Sequence, residues 1–263
     1  MARICTLFSG SSGNSVYIGS SDGGILIDAG VSAKRLEKSL REHDIDPYSI
    51  KAIFVTHEHN DHISGLRVFA SRYKSKVYSS KGTLEALEEM NILNDKYEAD
   101  EITKEGVCIS DIQVNAFRTS HDSRESIGYR IHTGDDRKIA VATDLGFMSD
   151  EARSGILGCD LVVIESNHDV RMLQNGKYPY FLKRRILSNT GHLSNDACAD
   201  NLFDLALKGT TRFILAHLSA ENNMPILAHQ TALGSLCEKG LCDGKDFLLK
   251  VAKRESDEPV MVF

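Results

Sequence analysis

Residues 56–62 read THEHNDH, which places three histidines and two acidic residues in seven consecutive positions. The run IKAIFVT at 50–56, which leads into the cluster, is apolar and predicts a buried strand. From His62 onward, HISGLRVFASRY has apolar residues at helical spacing and predicts a helix. We therefore expect the histidine cluster to lie where a strand ends and a helix begins.

The spacing within this cluster favours metal binding over a structural role. Two histidines at i and i+2 in extended backbone point to the same side, so we expect His57 and His59 to bind one ion together. Asp61 and His62, past a tight turn, are placed to face a second ion nearby. Nitrogen and oxygen ligands of this kind suit zinc or manganese.

Three further ionisable residues stand at the ends of predicted strands. His121 follows NAFRTS, Asp144 follows KIAVAT and His217 follows RFILA. The four ligands of the first cluster do not complete two coordination spheres. We therefore expect these three side chains to meet the cluster at one edge of the sheets.

The composition is that of an ordinary enzyme domain. The 263 residues are 41% hydrophobic, enough to bury a full core, and we expect one domain over residues 1–263. No stretch approaches ~18 uninterrupted apolar residues, and the N-terminus lacks a secretory pattern. The six cysteines form no C-x-x-C pair. These features predict a cytoplasmic protein with reduced thiols, without membrane insertion.

The net charge of −6 argues against extended coating of nucleic acid, which requires clustered lysines and arginines. A local basic cluster does occur in FLKRRIL, at Lys183, Arg184 and Arg185. It is interpreted either as a solvated helix face or, with Arg171 and Lys177, as a rim that holds a nucleic-acid backbone.

The order of predicted elements is that of a two-sheet protein. The first third of the chain alternates β-like runs with glycine- and serine-rich turns, which predicts antiparallel hairpins. Later strands are predicted at CISDIQVNAFRTS, SIGYRIHT, RKIAVATD, CDLVVIES and TRFILAH, and helices at about 179–187, 195–208 and 225–239. Ser194 is expected to cap the second of these helices. Two sheets with helices outside accommodate this order.

The form H-x-H-x-D-H of the first cluster, with SHD at 120–122, ATDLG at 142–146 and LAHLS at 215–219, resembles the metallo-β-lactamase fold superfamily of binuclear hydrolases. The resemblance implies an α/β (α+β) fold: an αββα sandwich of two mixed sheets with helices on the outer faces and metals at one edge. It also implies two divalent metal ions, with His57, His59 and His121 at one, Asp61, His62 and His217 at the other, and Asp144 between them.

Further segments are similar to the phosphodiesterase branch of this superfamily. LVVIESNHD at 161–169 and TGHLSNDACADNLFDLA at 190–206 resemble segments of ribonuclease Z and of a cyclic phosphodiesterase of the phosphonate pathway. This implies that His192 is a proton donor beside the scissile phosphate, with Glu165 as its acidic partner. FSGSSGNS, IESNHD and GHLSN together resemble the WalJ (YycJ, VicX) subfamily, which implies a 5′-to-3′ exonuclease activity on DNA.

Phosphodiester hydrolysis is the chemistry expected of such a site. Two divalent ions roughly 3.5 to 4 Å apart lower the pKa of a shared water toward about 7, so a metal-bridging hydroxide would be the nucleophile. Asp61 would aim this water in addition to binding a metal. His192 would protonate the departing oxygen.

Other residues are candidates for contact with the substrate. The loop SGSSGN offers backbone amides and polar side chains, so Ser11, Ser12 and Asn14 either cradle a phosphate or form only a hairpin turn. His168 follows the strand that carries Glu165. It is placed to line the substrate cleft, to join a metal, to orient Glu165, or to be a satisfied structural histidine.

Three other functions remain open for the same ligand set. A small-molecule hydrolase would cleave a cyclic phosphodiester, a thioester or a lactone. A regulator associated with WalRK signalling would bind metal without turnover, and a redox protein would hold two irons. The leading hypothesis is a metal-dependent DNA exonuclease, with zinc or manganese favoured over iron.

Overall fold

Two seven-stranded sheets packed face to face form the centre of the computed structural model, which describes residues 1–263. In chain order the strands are β1 (Arg3–Phe8), β2 (Ser15–Gly19), β3 (Gly24–Ile27), β4 (Ile50–Phe54), β5 (Lys76–Ser79), β6 (Ala99–Glu101), β7 (Val107–Ile109), β8 (Ile112–Arg118), β9 (Ile127–His132), β10 (Lys138–Ala142), β11 (Leu161–Glu165), β12 (Arg212–Ala216), β13 (Leu248–Val251) and β14 (Met261–Val262). The helices are α1 (Ala33–Glu42), α2 (Asn60–Ile63), α3 (Leu66–Tyr73), α4 (Lys81–Glu89), α5 (Asp150–Ile156), α6 (Val170–Asn175), α7 (Tyr180–Ile186), α8 (Asn195–Leu207) and α9 (Pro225–Glu238), with a short 3-10 helix at Pro47–Ser49. The first sheet has the strand order β14-β1-β2-β3-β4-β5-β6 and the second β13-β12-β11-β10-β9-β8-β7.

Helices cover the outer face of each sheet, which gives an αββα sandwich. Along β4 the side chains alternate, so Phe54 points between the sheets while Ile53 packs against the helices outside. In the second sheet, Val163 of β11 faces the first sheet and Val162 packs among residues of α5, α8 and α9. Because both faces of β11 are buried, its sequence LVVIE is apolar until Glu165 at its end.

The parallel strands of the two sheets end at the same edge of the sandwich. β3 to β6 run parallel in the first sheet, and β10 to β13 run parallel in the second. Ionisable residues stand at or just after the carboxyl ends of five of these strands: Asp28 after β3, His57 after β4, Asp144 after β10, Glu165 in β11 and His217 after β12. Ligands of α/β sheets bind at this edge, so the topology gathers these side chains into one site.

The structure confirms the predicted sandwich. Its antiparallel beginning is also found, since β1, β2 and β3 pair antiparallel. The three helices predicted in the second half of the chain correspond to α7, α8 and α9, and the Ser194 hydroxyl caps α8 by accepting from the amide of Ala197. None of the helices has the length and apolar character needed to cross a bilayer.

Two predicted elements were wrong in detail. The helix expected from His62 onward is divided into α2 and α3, because the amide of Gly65 between them donates to the Ala29 carbonyl at 2.9 Å instead of to the preceding helical turn. The strand expected at CISDIQVNAFRTS is two strands, β7 and β8, because Ser110 turns the chain with a left-handed φ of 55°.

Phe54 provides a test of the layer between the sheets. It is fully buried, and its ring centroid lies 5.2 Å from that of Tyr78 and 5.5 Å from that of Tyr129. We expect Phe54→Ala to lower the free energy of unfolding by roughly 3–5 kcal/mol, because the cavity leaves both rings without a partner. Urea unfolding followed by circular dichroism measures the change. Val68→Ala, at a position of α3 with an exposed fraction of 50%, is the control and should change it by less than about 0.5 kcal/mol.

Candidate metal centre

The two sheets bring two groups of potential metal ligands to one edge. The first group is His57, His59 and His121, and the second is Asp61, His62 and His217. Within each group, one ligand atom per residue lies within 4.8 Å of the others, close enough for one ion to contact all three. These are the two sets that the resemblance in the sequence implies.

A carboxylate lies between the two groups. Asp144 Oδ2 is 3.4 Å from Nε2 of His62, in the second group, and Asp144 Oδ1 is 3.7 Å from Nε2 of His121, in the first. The Asp144 side chain is buried. One carboxylate is thus placed to contact a cation on each side.

In three of the candidate ligand histidines the protein holds Nδ1, and Nε2 faces the carboxylates of the centre. His62 donates from Nδ1 to Asp28 at 2.7 Å, and His217 donates from Nδ1 to Glu165 at 2.7 Å. His121 donates from Nδ1 to a backbone carbonyl at 3.0 Å. Such partners set the tautomer of each ring, so that Nε2 keeps its lone pair for a metal.

Several atoms that face the centre lack a protein partner. Nε2 of His57, Nε2 of His217 and Oδ2 of Asp144 are buried and make no hydrogen bond. Buried polar atoms are almost always paired, because an unpaired one costs free energy. Divalent cations would pair all three, so the donor set fits a metal centre.

The charges of the centre also favour a cation. Burial alone would lower the pKa of His62, but Asp28 and Asp144 outweigh it and raise this pKa well above its usual value. Burial alone would raise the pKa of Asp61, yet the neighbouring rings of His217 and His62 hold it well below its usual range. The pKa of Asp144 is also held well below its usual range, since His217 and His62 outweigh the effect of burial. Asp61 and Asp144 are therefore ionised at neutral pH.

Glu165 and His192 form a pair beside the two ligand groups. The Glu165 side chain is fully buried, and its Oε1 accepts a hydrogen bond from Nδ1 of His192 at 2.9 Å. Its Oε2 accepts from the amides of Leu145 at 2.8 Å and Leu193 at 2.9 Å. Burial alone would raise the pKa of Glu165, but His192 and His217 lower it to about 2. An ionised carboxylate thus holds Nδ1 of His192 and leaves Nε2 free.

Three residues of the centre have a left-handed backbone conformation. Asp28, Asp144 and His217 have φ values of 63°, 60° and 56°, and each follows a strand within two residues. Non-glycine residues adopt this conformation infrequently, and it persists where surrounding contacts fix it. The strand ends are therefore bent at the residues whose side chains build the centre.

An open cleft of about 220 Å³ lies over the cluster. Five of the seven ligand residues and His192 form its floor. One wall is formed by residues in or just before α7: Tyr178, Leu182, Arg185 and Ile186. The centre is therefore open to a substrate from one side.

The serine- and glycine-rich loop has mixed roles. Ser11 lines the cleft, whereas Ser12 is exposed outside the cleft lining. Asn14 is buried, and its Nδ2 donates to Asp61 Oδ2 at 3.2 Å and lies 3.1 Å from Nε2 of His62. Asn14 therefore contacts two candidate metal ligands and does not line the cleft.

The three residues of the predicted basic cluster point in different directions from α7. Arg185 lines the cleft, and its guanidinium pairs with Asp122. Lys183 donates from Nζ to a backbone carbonyl of α6 at 2.8 Å. Arg184 is exposed, with its guanidinium carbon 5.9 Å from the ring centroid of Tyr180. Arg185 is thus the member of the cluster that borders the substrate space.

His168 lies outside the cleft lining and outside both ligand groups. Its ring is buried, and neither ring nitrogen has a hydrogen-bond partner. Burial lowers its pKa to about 4, so the ring is neutral at physiological pH. His168 is therefore not the satisfied structural histidine that the sequence allowed, and its role stays a prediction.

Asp28 belongs to the centre although the sequence analysis did not identify it. Its carboxylate accepts from the amide of Thr56 at 2.8 Å and from the Thr56 hydroxyl at 2.9 Å, in addition to His62. The available signal was its position, since GGILID at 23–28 is an apolar strand followed by an aspartate. This is the same pattern by which Asp144 was found.

A family model described as a β-lactamase superfamily domain matches residues 24–218, which include all seven candidate ligands. The chain belongs to the β-lactamase superfamily. Two relatives show how far the likeness extends. The chain is 40% identical over 250 residues to exodeoxyribonuclease YycJ of Bacillus anthracis, covering 93% of each protein. It is 38% identical over 249 residues to exodeoxyribonuclease WalJ of Streptococcus pneumoniae, covering 93% of this chain and 92% of that relative.

A solved structure shares the fold of this superfamily member. The metallo-β-lactamase fold protein YhfI from Bacillus subtilis superposes with a TM-score of 0.72 at 13% sequence identity. The superposition covers 99% of this chain and 98% of that one. The two proteins therefore share the fold over nearly their whole length.

Asp28→Ala tests the support of the metal centre. The change leaves Nδ1 of His62 and the amide of Thr56 unpaired in the core. We expect metal affinity to fall roughly ten- to hundredfold, as is typical when the outer partner of a ligand histidine is lost. Elemental analysis after dialysis measures the retained metal. Asp204→Ala, on the exposed face of α8, is the control and should retain the parent's metal content; equal retention by Asp28→Ala would contradict this role.

Proposed function

We propose that this protein is a metal-dependent DNA exonuclease that degrades its substrate from the 5′ end. The observation that carries the proposal is the Glu165–His192 pair, because His192 lines the same cleft as five of the seven candidate metal ligands. A cation centre beside a protonatable group has the parts that phosphodiester hydrolysis needs. The two relatives named exodeoxyribonucleases, which match nearly the whole chain, support DNA as the substrate.

Two ions, zinc or manganese, are assigned to this centre. His57, His59 and His121 would hold one ion, and Asp61, His62 and His217 the other, with the Asp144 carboxylate between the two groups. When bound, the ions supply Lewis-acid activation of a water molecule and of the phosphoryl oxygens. Both sheets contribute to each ligand group, so the proposal treats residues 1–263 as one domain.

Asp61 has a second role, as an acceptor for the attacking water. Its side chain is 23% exposed and borders the cleft, whereas that of Asp144 is 3% exposed. Because its pKa is held low, Asp61 remains a hydrogen-bond acceptor at neutral pH. Asn14 fixes the carboxylate through Oδ2. An acceptor held in this position orients an O–H of the attacking water.

His192 supplies the proton for the departing oxygen. Its Nδ1 donates to the ionised carboxylate of Glu165, which fixes the orientation of the ring. The proton on Nε2 is then the one transferred, while Nδ1 keeps its proton throughout. Glu165 orients the ring, as the buried carboxylate does in other acid–base pairs.

A digestion assay tests the proposed function. The protein, supplied with manganese, is incubated with 5′-phosphorylated single-stranded and duplex DNA. We expect nucleotides to be released progressively from the 5′ end. Intact DNA together with turnover of a chromogenic phosphodiester would support a small-molecule hydrolase instead, and no turnover of either would support a regulatory protein.

His192→Ala separates proton transfer from metal binding in this scheme. We expect the rate of DNA cleavage to fall roughly 10²- to 10⁴-fold, the usual contribution of a general acid. Circular dichroism and metal content should match those of the parent protein. His132→Ala is the matched control, because His132 is 45% exposed in its side chain and pairs with Asp136 in a hairpin. Parental cleavage rates in His192→Ala would contradict the assignment.

A further inference from the structure

A basic surface adjoins the cleft in a protein that is acidic overall. Residues 170–195 contain five lysines and arginines and no aspartate or glutamate, although the net charge of the chain is −6. Arg185 pairs with Asp122 and Arg184 lies beside Tyr180, on the side of its helix turned away from the cleft, but Arg171 and Lys177 are exposed and form no ion pair. Unpaired cations of this kind attract a polyanion such as a nucleic-acid strand.

Helix α7 has one flank at the cleft and one turned away from it. Leu182, Arg185 and Ile186 line the cleft. Phe181 is four residues before Arg185 and therefore lies beside it on the same flank of the helix. Because an α-helix turns about 100° per residue, Tyr180 lies about 160° from Leu182, on the opposite side.

Phe181 is an apolar ring that faces water. Its exposed fraction is 73%. Tyr178, just before the helix, lines the cleft itself, so these two aromatic residues lead from the rim into the cleft. Aromatic faces beside free cations are the means by which many proteins hold single-stranded nucleic acid, because every base has a face that stacks.

We propose that Tyr178 and Phe181 form a stacking edge that holds the unpaired bases of a DNA strand as it enters the cleft. The proposal rests on the nuclease function proposed above and adds the form of the substrate. Bases within a duplex are paired and stacked on both faces, so the strand at this edge is single. Its phosphates pass Lys177, which is adjacent to Tyr178 and exposed.

A tryptophan reporter tests this stacking edge directly. The chain contains no tryptophan, so Phe181→Trp places a single fluorophore there and keeps an aromatic face. We expect its emission to be quenched by a phosphorothioate oligothymidylate, which resists hydrolysis. An abasic strand of equal charge should leave the emission unchanged. Tyr180→Trp, at a neighbouring position with an exposed fraction of 74%, is the matched control and should not be quenched.

Alanine variants at the same two positions provide an independent measurement. Phe181→Ala should weaken binding of the oligothymidylate at least about fivefold, the loss expected for one stacked base. Tyr180→Ala should bind it as the parent protein does. Both side chains are exposed, so neither change is expected to affect folding.

The possible outcomes separate this proposal from the nuclease function. Equal quenching at both positions, or quenching by the abasic strand, would overturn the stacking edge. An unquenched Phe181→Trp protein that still degrades DNA would also overturn it and leave the nuclease function intact. Quenching of Phe181→Trp in a protein that degrades no DNA would support the stacking edge and contradict the proposed nuclease function. If the tryptophan at position 181 were shielded from solvent without DNA, to an extent that depends on protein concentration, this surface would bind a second copy of the chain. That result would contradict the proposal.

Discussion

The buried carboxylate of Asp144 is the constraint on which the centre depends. Taking an ionised carboxylate out of water costs several kcal/mol unless opposite charge surrounds it. Here the surrounding side chains come from both sheets, with His57 and His62 following β4, His121 following β8 and His217 following β12. The same cluster therefore joins the carboxyl edges of the two sheets. Cations that bind Asp144 would strengthen this junction as well as serve the chemistry.

Glu165 connects metal binding with proton transfer. It accepts hydrogen bonds from His217, a proposed ligand, and from His192, the proposed acid. Asp144, Glu165, His192 and His217 also lie close enough together to hold a metal. However, both oxygens of Glu165 are already occupied, Oε1 by the two histidines and Oε2 by two backbone amides. This leaves the carboxylate poorly suited to coordinate an ion. We therefore interpret this grouping as a support for the two rings and not as a further metal site.

The sequence predicted those parts of the centre that depend on local backbone. The four candidate ligands in THEHNDH lie within six consecutive positions, so the strand end and the following turn determine their directions. Asp144 required the further observation that it ends a strand, and Asp28 was missed although it has the same position. The contact of Asn14 with Asp61 was beyond sequence reasoning, because it depends on the approach of Gly30, where a Cβ would lie 1.7 Å from the Asp61 carbonyl oxygen. Such a contact exists only after distant segments have packed.

The metal ligands and the wall of the cleft come from different kinds of structure. The ligands lie at or shortly after strand ends, where two sheets fix the backbone. The wall is formed by α7 and the loop before it, which contribute no candidate metal ligand. Its exposed aromatic residues were not evident from the sequence, since the apolar residues of FLKRRIL equally suggest a buried helix face. One contact ties this wall to the centre, because Arg185 pairs with Asp122, the residue that follows the ligand His121. An ion pair at the mouth of the cleft thus joins α7 to the residue next to a candidate metal ligand.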